Sequence, residues 1–300
     1  MTLPNFLIIG ATKSGTTSLH NYLQHHPQIY MSPIKETNFF AYEGGVPEFN
    51  WWGEPPHTTL NSITDLATYE QLFAAATNEI AIGEASPYYL YNENAAARIH
   101  HYIPHAKLIA ILRHPTDRAY SNYTHLIRDG REPYADFAAA LAQESARQAE
   151  NWSWDYYYQD MGFYAQQLKR YYERFPREQI KVFLYDELKQ DPAALFAAIC
   201  TFLGVDPTFQ PNFEFHNNVS GYPKSKALQR FIDQPNPLKP LIRLLLSEKI
   251  RQRVATKLRR VNLEKPTMNP AVRQQLNQLY KNDILQLQTL IQRDLSAWLG

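Results

Sequence analysis

The chain has 300 residues, 44% of them hydrophobic and 20% charged, with a formal net charge of +1. That is an ordinary globular composition, enough for one large domain or two small ones, and its near-neutral balance argues against a strongly electrostatic nucleic-acid binder. The single cysteine, Cys200, excludes an internal disulfide or a cysteine-rich metal site, and its apolar helical surroundings read as those of a buried structural thiol.

The chain enters an apolar run at Phe6–Ile9, and Gly10 ends it. A polar loop with a second glycine, Gly15, follows, and then a helical pattern through Leu19, Tyr22 and Leu23. This is a strand, an anion-cradling loop and a helix, whose first N–H groups and dipole favour negative charge. The glycines are spaced as in a nucleotide-binding P-loop, but Thr16-Thr17 follows the second one, and the lysine stands inside the loop as Lys13. No basic-then-apolar leader precedes Phe6 and no run is long enough to span a bilayer, so the expected location is cytoplasmic.

Three further strand-like runs follow at Ile80–Ile82, Leu108–Leu112 and Ile180–Leu184, with helical sequence after them at 94–102, 115–129 and 191–203. The alternation predicts an α/β fold: a P-loop-type parallel sheet with helices on both faces, in one domain covering residues 1–300. The core is expected at about 5–230, with a helical C-terminal region from about 224 to 300 against it. Residues 42–60 and 205–223, rich in Gly, Pro, Trp or Asn, read as long irregular loops. Residues 237–260 read as a basic amphipathic helix with a solvated face, and 269–299 as a long helix with an apolar stripe.

Ligands of such sheets bind beyond the carboxyl ends of the strands, so the residues after each run are the candidates. The third run ends in Arg113-His114-Pro115, where a Mg-dependent NTPase would carry an acidic metal ligand. A guanidinium there suits a second phosphate, and Ser121, two turns into the next helix, can reach the same group. The second run leads into Gly83-Glu84-Ala-Ser86. From position alone, Glu84 reads equally as a general base or as an ion-pair partner of Lys13 or a turn cap. His25-His26 and His100-His101 read as solvated or capping residues, and His114 as a packing residue. The aromatic cluster Trp152, Trp154 and 156–158 reads equally as an acceptor platform or as packing.

These motifs resemble the PAPS-dependent sulfotransferases, and within them the heparan-sulfate-type and bacterial branch. The resemblance rests on Lys13-Ser-Gly-Thr-Thr-Ser-Leu19, Leu112-Arg113-His-Pro-Thr-Asp-Arg118-Ala-Tyr-Ser121 and Gly83-Glu84-Ala-Ser-Pro-Tyr-Tyr89. Ser32-Pro-Ile-Lys35-Glu36-Thr-Asn-Phe-Phe40, Lys181-Val-Phe-Leu-Tyr-Asp186 and Phe202-Leu-Gly204 add to it, over roughly residues 5–230. It implies transfer of a sulfuryl group from PAPS to a hydroxyl or amine of a saccharide or small-metabolite acceptor, without metal. It implies a cofactor site of Lys13, Ser14, Gly15, Thr16, Thr17, Ser18, Arg113 and Ser121, with Ser220, Gly221 and Lys224 as further 3′-phosphate contacts. Glu84 is the implied base, with His125 its rival, and Lys13 the implied stabiliser of leaving-group charge. Lys35 reads as a contact to the sulfuryl group or acceptor, or as an ion-pair partner of Glu36. The acceptor site is expected in the 42–60 and 130–160 loops. A Mg-dependent P-loop kinase and a non-catalytic nucleotide-binding protein are the alternative readings.

Overall fold

The apolar run after Asn5 forms β1 (Phe6–Gly10), which is followed by α1 (Thr16–Leu23), β2 (Ile29–Met31), α2 (Phe39–Tyr42), β3 (Phe49–Trp51), β4 (Glu54–His57) and α3 (Leu66–Gln71). Next come β5 (Ala81–Ala85), α4 (Ala95–Tyr102), β6 (Lys107–Leu112), α5 (Pro115–Arg128), α6 (Phe137–Ala142), α7 (Glu144–Ala149) and α8 (Tyr164–Tyr172). The order closes with β7 (Ile180–Leu184), α9 (Tyr185–Gln190), α10 (Pro192–Leu203), the short pair β8 (Tyr222–Pro223) and β9 (Leu263–Glu264), and α11 (Pro270–Ile291). This computed structural model describes residues 2–58, 62–213 and 267–300, with the short pieces 222–223 and 263–264. The 237–260 stretch and the candidate contacts Ser220, Gly221 and Lys224 lie outside the described residues.

Five strands form one parallel sheet in the order β2-β5-β1-β6-β7. β1 is buried along its whole length, as a strand covered on both faces must be. Phe6 and Ile8 face a core built with α1 and α10, which includes Leu19, Leu23, Phe196 and Cys200. Leu7 and Ile9 face the opposite core, with Ala119, Tyr123 and Leu168 of α5 and α8. The chain leaves β1 toward β5 and β2 and returns across it to β6, so the β1 and β6 loops flank the switch point where such sheets bind ligands. Burial raises the Cys200 thiol to about 12, as expected of a structural cysteine.

The strand expectations hold at β1, β6 and β7 with end shifts of one residue at most. β5 differs: it begins at Ala81 and runs on to Ala85, because Gly83 leaves room for the Phe6 ring, which a Cβ there would meet at 2.4 Å. The 42–60 stretch is not wholly irregular, since it contains the β3–β4 hairpin. The C-terminal helix stops at Ile291, where Gln292 turns left-handed. α11 buries Val272, Leu276, Tyr280, Ile284 and Leu287 at helical spacing. Tyr280 lies under Gly162 and donates to the Gln159 carbonyl at 2.9 Å, and Asp283 accepts from the Ala165 N–H at 3.2 Å, at the start of α8. Among the described residues, no helix is long and apolar enough to cross a membrane.

Residues 130–160 hold their shape through a buried ion pair. Arg147 donates to both oxygens of Glu132 at 2.8 and 2.9 Å, and their side chains are 4% and 0% exposed. The guanidinium also lies 4.9 Å from the Tyr156 ring centroid, and Tyr156 in turn donates to the Arg131 carbonyl at 2.8 Å. Removing one partner leaves the other charge buried and unpaired. Arg147→Ala is therefore expected to cost about 3–5 kcal/mol in urea unfolding, and Arg147→Met paired with Glu132→Leu distinctly less. A loss under ~1 kcal/mol for the single change would show that the pair does not hold this segment.

Candidate active site

The turn between β1 and α1 is built to stay open to an anion. α1 starts on Gly15, which carries no capping side chain, and no acidic residue lies in its first turn. Its first N–H groups therefore receive no cap from the residue that starts the helix. Gly15 has φ +93°, which favours glycine, and a Cβ there would stand 2.7 Å from Leu188 Cδ2 and 3.1 Å from Tyr185 Cδ2, so those side chains would have to give as well. Ser14 and Thr16 are buried in the turn, Lys13 and Ser18 half-buried, and Thr17 exposed.

Arg113 arrives beside the turn from the end of β6. Its Nη1 donates to the Lys13 carbonyl at 3.3 Å, and its guanidinium sits 5.0 Å from the Tyr185 ring centroid. Tyr164 donates to the Arg113 carbonyl at 3.1 Å and fixes the backbone there. Among the described residues no carboxylate pairs with Arg113, which leaves its charge for a ligand. Ser121 is buried on α5, and β8 runs against that helix. Behind the turn, the fully buried Arg118 donates to Thr12 Oγ1 at 3.3 Å and to the Tyr158 carbonyl at 2.6 Å, tying the turn to the 156–162 segment. His114 rests 5.8 Å from the Trp298 ring, in the packing position expected of it.

Lys13 is lowered to about 8 by burial, with the Arg128 charge adding to it, and Asp155, Asp129 and Glu36 oppose the shift. His125, on α5, is pushed down to about 4 by burial and next by Lys13. Its Nδ1 accepts from Arg128 Nη2 at 2.6 Å, so the neutral ring carries its proton on Nε2. A base with one nitrogen occupied and the other protonated is poorly prepared to take a proton. Asp155 is raised by burial against the opposing pull of Arg131, to which it is bonded at 3.3 Å. Lys13, His125, Arg128, Arg131, Asp155 and Glu36 thus form one electrostatic cluster, in which the sequence gives a role in the chemistry to Lys13 and His125, names Glu36 only as a motif residue and partner of Lys35, and does not single out Arg128, Arg131 or Asp155.

Glu84 stands apart from that cluster. It lies within β5 opposite Leu7, three residues short of Gly10, and is 0% exposed. Ser86 Oγ donates to it at 2.7 Å and Tyr69 OH at 3.4 Å. Burial wins over these donors and raises the carboxyl to about 7. Glu36 has the opposite character. Its N–H donates to the Ala85 carbonyl at 2.9 Å, which sets it just past the carboxyl edge of the sheet, and its side chain is 49% exposed and paired with Lys35. Lys13 and Glu36, both at φ +63°, and Asn38 at φ +52° are held left-handed, a conformation that costs an ordinary residue roughly 1–3 kcal/mol and concentrates at functional sites.

The sequence pattern of the sulfotransferase family matches residues 4–211, more than half of the chain. The chain belongs to the sulfotransferase family. It is 31% identical over 215 residues to the human bifunctional heparan sulfate N-deacetylase/N-sulfotransferase 3, covering 69% of this chain and 23% of that one. It is 38% identical over 123 residues to the membrane-associated sulfotransferase kil1 of Dictyostelium discoideum, covering 40% of this chain and 22% of that one. The chain therefore spans under a quarter of the length of these curated relatives. Among solved structures, a sulfotransferase from Alicyclobacillus acidocaldarius superposes with a TM-score of 0.77 at 33% identity, over 100% of both chains. Among the described residues no cluster of three or more His, Cys, Asp or Glu could hold a metal ion.

The raised Glu84 carboxyl carries a stability consequence. Its folded value, about 7, lies above the ordinary 4.5, so the native state holds a proton that the unfolded chain releases. Its contribution is full below about 4.5 and is lost as pH rises through 7. Glu84→Gln keeps a neutral group there at every pH. Its Tm relative to the parent chain should therefore rise between pH 5 and 8, read by thermal unfolding. A difference that does not change with pH would show that Glu84 is ionised throughout.

Proposed function

We propose that the chain moves a sulfuryl group from PAPS to a hydroxyl or amine of an acceptor, with Glu36 rather than Glu84 as the base. The observation that carries this reading is the anion cradle, with Lys13 and N–H groups that Gly15 leaves uncapped on one strand end and, on the next, Arg113, which no carboxylate among the described residues pairs. Two cationic phosphate sites at neighbouring strand ends fit a nucleotide phosphorylated at two positions. PAPS supplies a sulfuryl group activated on its 5′-phosphate. The turn from Lys13 to Ser18 would hold the 5′ end, and Arg113 with Ser121 the 3′-phosphate.

Glu36 takes the proton of the acceptor as its oxygen or nitrogen bonds to sulfur and the bond from sulfur to the 5′-phosphate oxygen breaks. Lys13 and the α1 N–H groups neutralise the charge that collects on that oxygen. A base must reach the proton it removes, and Glu36 stands open at the edge within the electrostatic reach of Lys13. Glu84 is sealed beneath Tyr69 and Ser86. Lys35, 20% exposed, is paired with Glu36 and would hold that carboxylate in its ionised form. A relative named as an N-sulfotransferase supports including amines among the acceptors.

Transfer from radiolabelled PAPS across hydroxyl and amine acceptors tests the assignment. Glu36→Gln should lower turnover by about a hundredfold or more with 3′,5′-ADP affinity unchanged, the scale of a lost general base. Glu84→Gln should stay within about tenfold of the parent. The reverse order of the two losses would return the base to Glu84.

A further inference from the structure

A cavity of about 310 Å³ opens between the segment after β5 and the start of α8, lined by groups that the transfer chemistry does not use. Its volume is at the low end of the roughly 300–1,000 Å³ of small-ligand sites. The aromatic rings of Tyr91 and Phe163 form part of its wall. Asn94 and Gln166, both exposed, add amides that can donate and accept at once. The charged lining groups are Glu93, Asp160 and Arg170, two carboxylates against one guanidinium.

Arg170 is fixed by its Nη2, which donates to the Tyr91 carbonyl at 2.7 Å and the Leu90 carbonyl at 3.1 Å. Its Nε is buried without a hydrogen-bond partner, an unmet donor in the wall of a cavity. Tyr91 donates to Asp160, which holds that carboxylate in place. A site of fixed acceptors, paired amides and aromatic faces suits a molecule with several hydroxyls on an apolar ring. The excess of carboxylate repels an anion.

The cavity is joined to the transfer site. Tyr88, in its wall, stacks on Tyr42 with ring centroids 5.6 Å apart. Tyr42 accepts from Trp154 Nε1 at 3.0 Å, and the Tyr88 and Trp154 rings stack at 4.3 Å. Trp154 directly precedes Asp155 of the electrostatic cluster. One hydrogen-bonded aromatic stack therefore separates the cavity from the place where the acceptor reacts.

We infer that this cavity binds an uncharged, polyhydroxylated part of the acceptor, such as a neutral pyranose, at a point removed from the group that is sulfated. The inference rests on the sulfotransferase reading for the word acceptor, but the site's chemistry is independent of it. It commits the acceptor to a neutral hydroxyl-rich molecule and against a polyanionic chain.

Saturation-transfer NMR on the full chain tests this with methyl β-glucopyranoside and with glucuronic acid, each with and without 3′,5′-ADP. The neutral glycoside should bind and the anionic sugar should bind at least about tenfold more weakly. Asn94→Ala and Gln166→Ala, at exposed positions that do not support the fold, should each weaken the glycoside about fivefold or more and leave 3′,5′-ADP affinity unchanged. Glu93→Gln should narrow the gap between the two sugars. No saturation transfer to the glycoside, an effect of neither alanine variant, or a preference for glucuronic acid would overturn the inference. Glycoside binding in a chain that ignores 3′,5′-ADP would uphold the cavity and overturn the sulfotransferase reading instead.

Discussion

The start of α1, where Gly15 supplies no side-chain cap, favours an anion at its N–H groups, and the edge of the sheet is arranged around that preference. A side chain could have satisfied them, but Gly15 stands at the cap position with φ +93° and with Leu188 and Tyr185 close against it. The turn is thus held open by packing, with Leu188 and Tyr185 pressed against it from the β7 side. Lys13 and Arg113 meet there, and Asp155, Asp129 and Glu36 act on Lys13 without cancelling the effect of its burial. Lys13 is held to about 8 by its burial, so a bound phosphate, by supplying the missing negative charge, would restore its proton affinity.

The same preference explains the supports behind the turn. Arg118 is fully buried and spends its donors on Thr12 and the Tyr158 carbonyl, which couples the turn to the segment carrying Asp155. That segment is steadied from the other side by Arg147 and Glu132 and by Tyr280 of α11. Arg131, whose carbonyl Tyr156 holds, lies 4.4 Å from the Trp51 ring and reaches Asp155. A displacement of any of these would move charges in a site where electrostatic placement supplies much of the catalysis.

The central strands were legible because burial on both faces leaves an unbroken apolar run, as in Leu108–Leu112 and Ile180–Leu184. β2 was missed: three edge residues between Pro27 and Ser32 carry too little pattern to separate from a loop. The β3–β4 hairpin was hidden because Glu54-Pro-Pro is exposed, and beside the Trp51 ring stacked on His57 what holds it is long-range, the Asn50–Trp152 bridge. The anion turn and Arg113 were readable because their chemistry lies in consecutive residues. Glu84 lies deeper than the run Ile80–Ile82 implies: β5 continues through it to Ala85, level with Leu7. Glu36 stands in the Lys35-Glu36-Thr-Asn-Phe-Phe40 motif but carries no role in it that the sequence alone assigns, because its left-handed backbone and its nearness to Lys13 arise from the chain folding back along β5.

The claim beneath this account is that the sheet edge holds two separate phosphates without a metal. Calorimetric titration in EDTA with 3′,5′-ADP and with 5′-AMP, on the parent chain and on Arg113→Ala, measures it most directly. The account predicts that 3′,5′-ADP binds the parent chain more tightly than 5′-AMP does, and that Arg113→Ala removes most of that advantage while 5′-AMP binding barely changes. Equal binding of the two nucleotides, equal weakening by Arg113→Ala, or tight binding only of ATP with Mg²⁺ would contradict it.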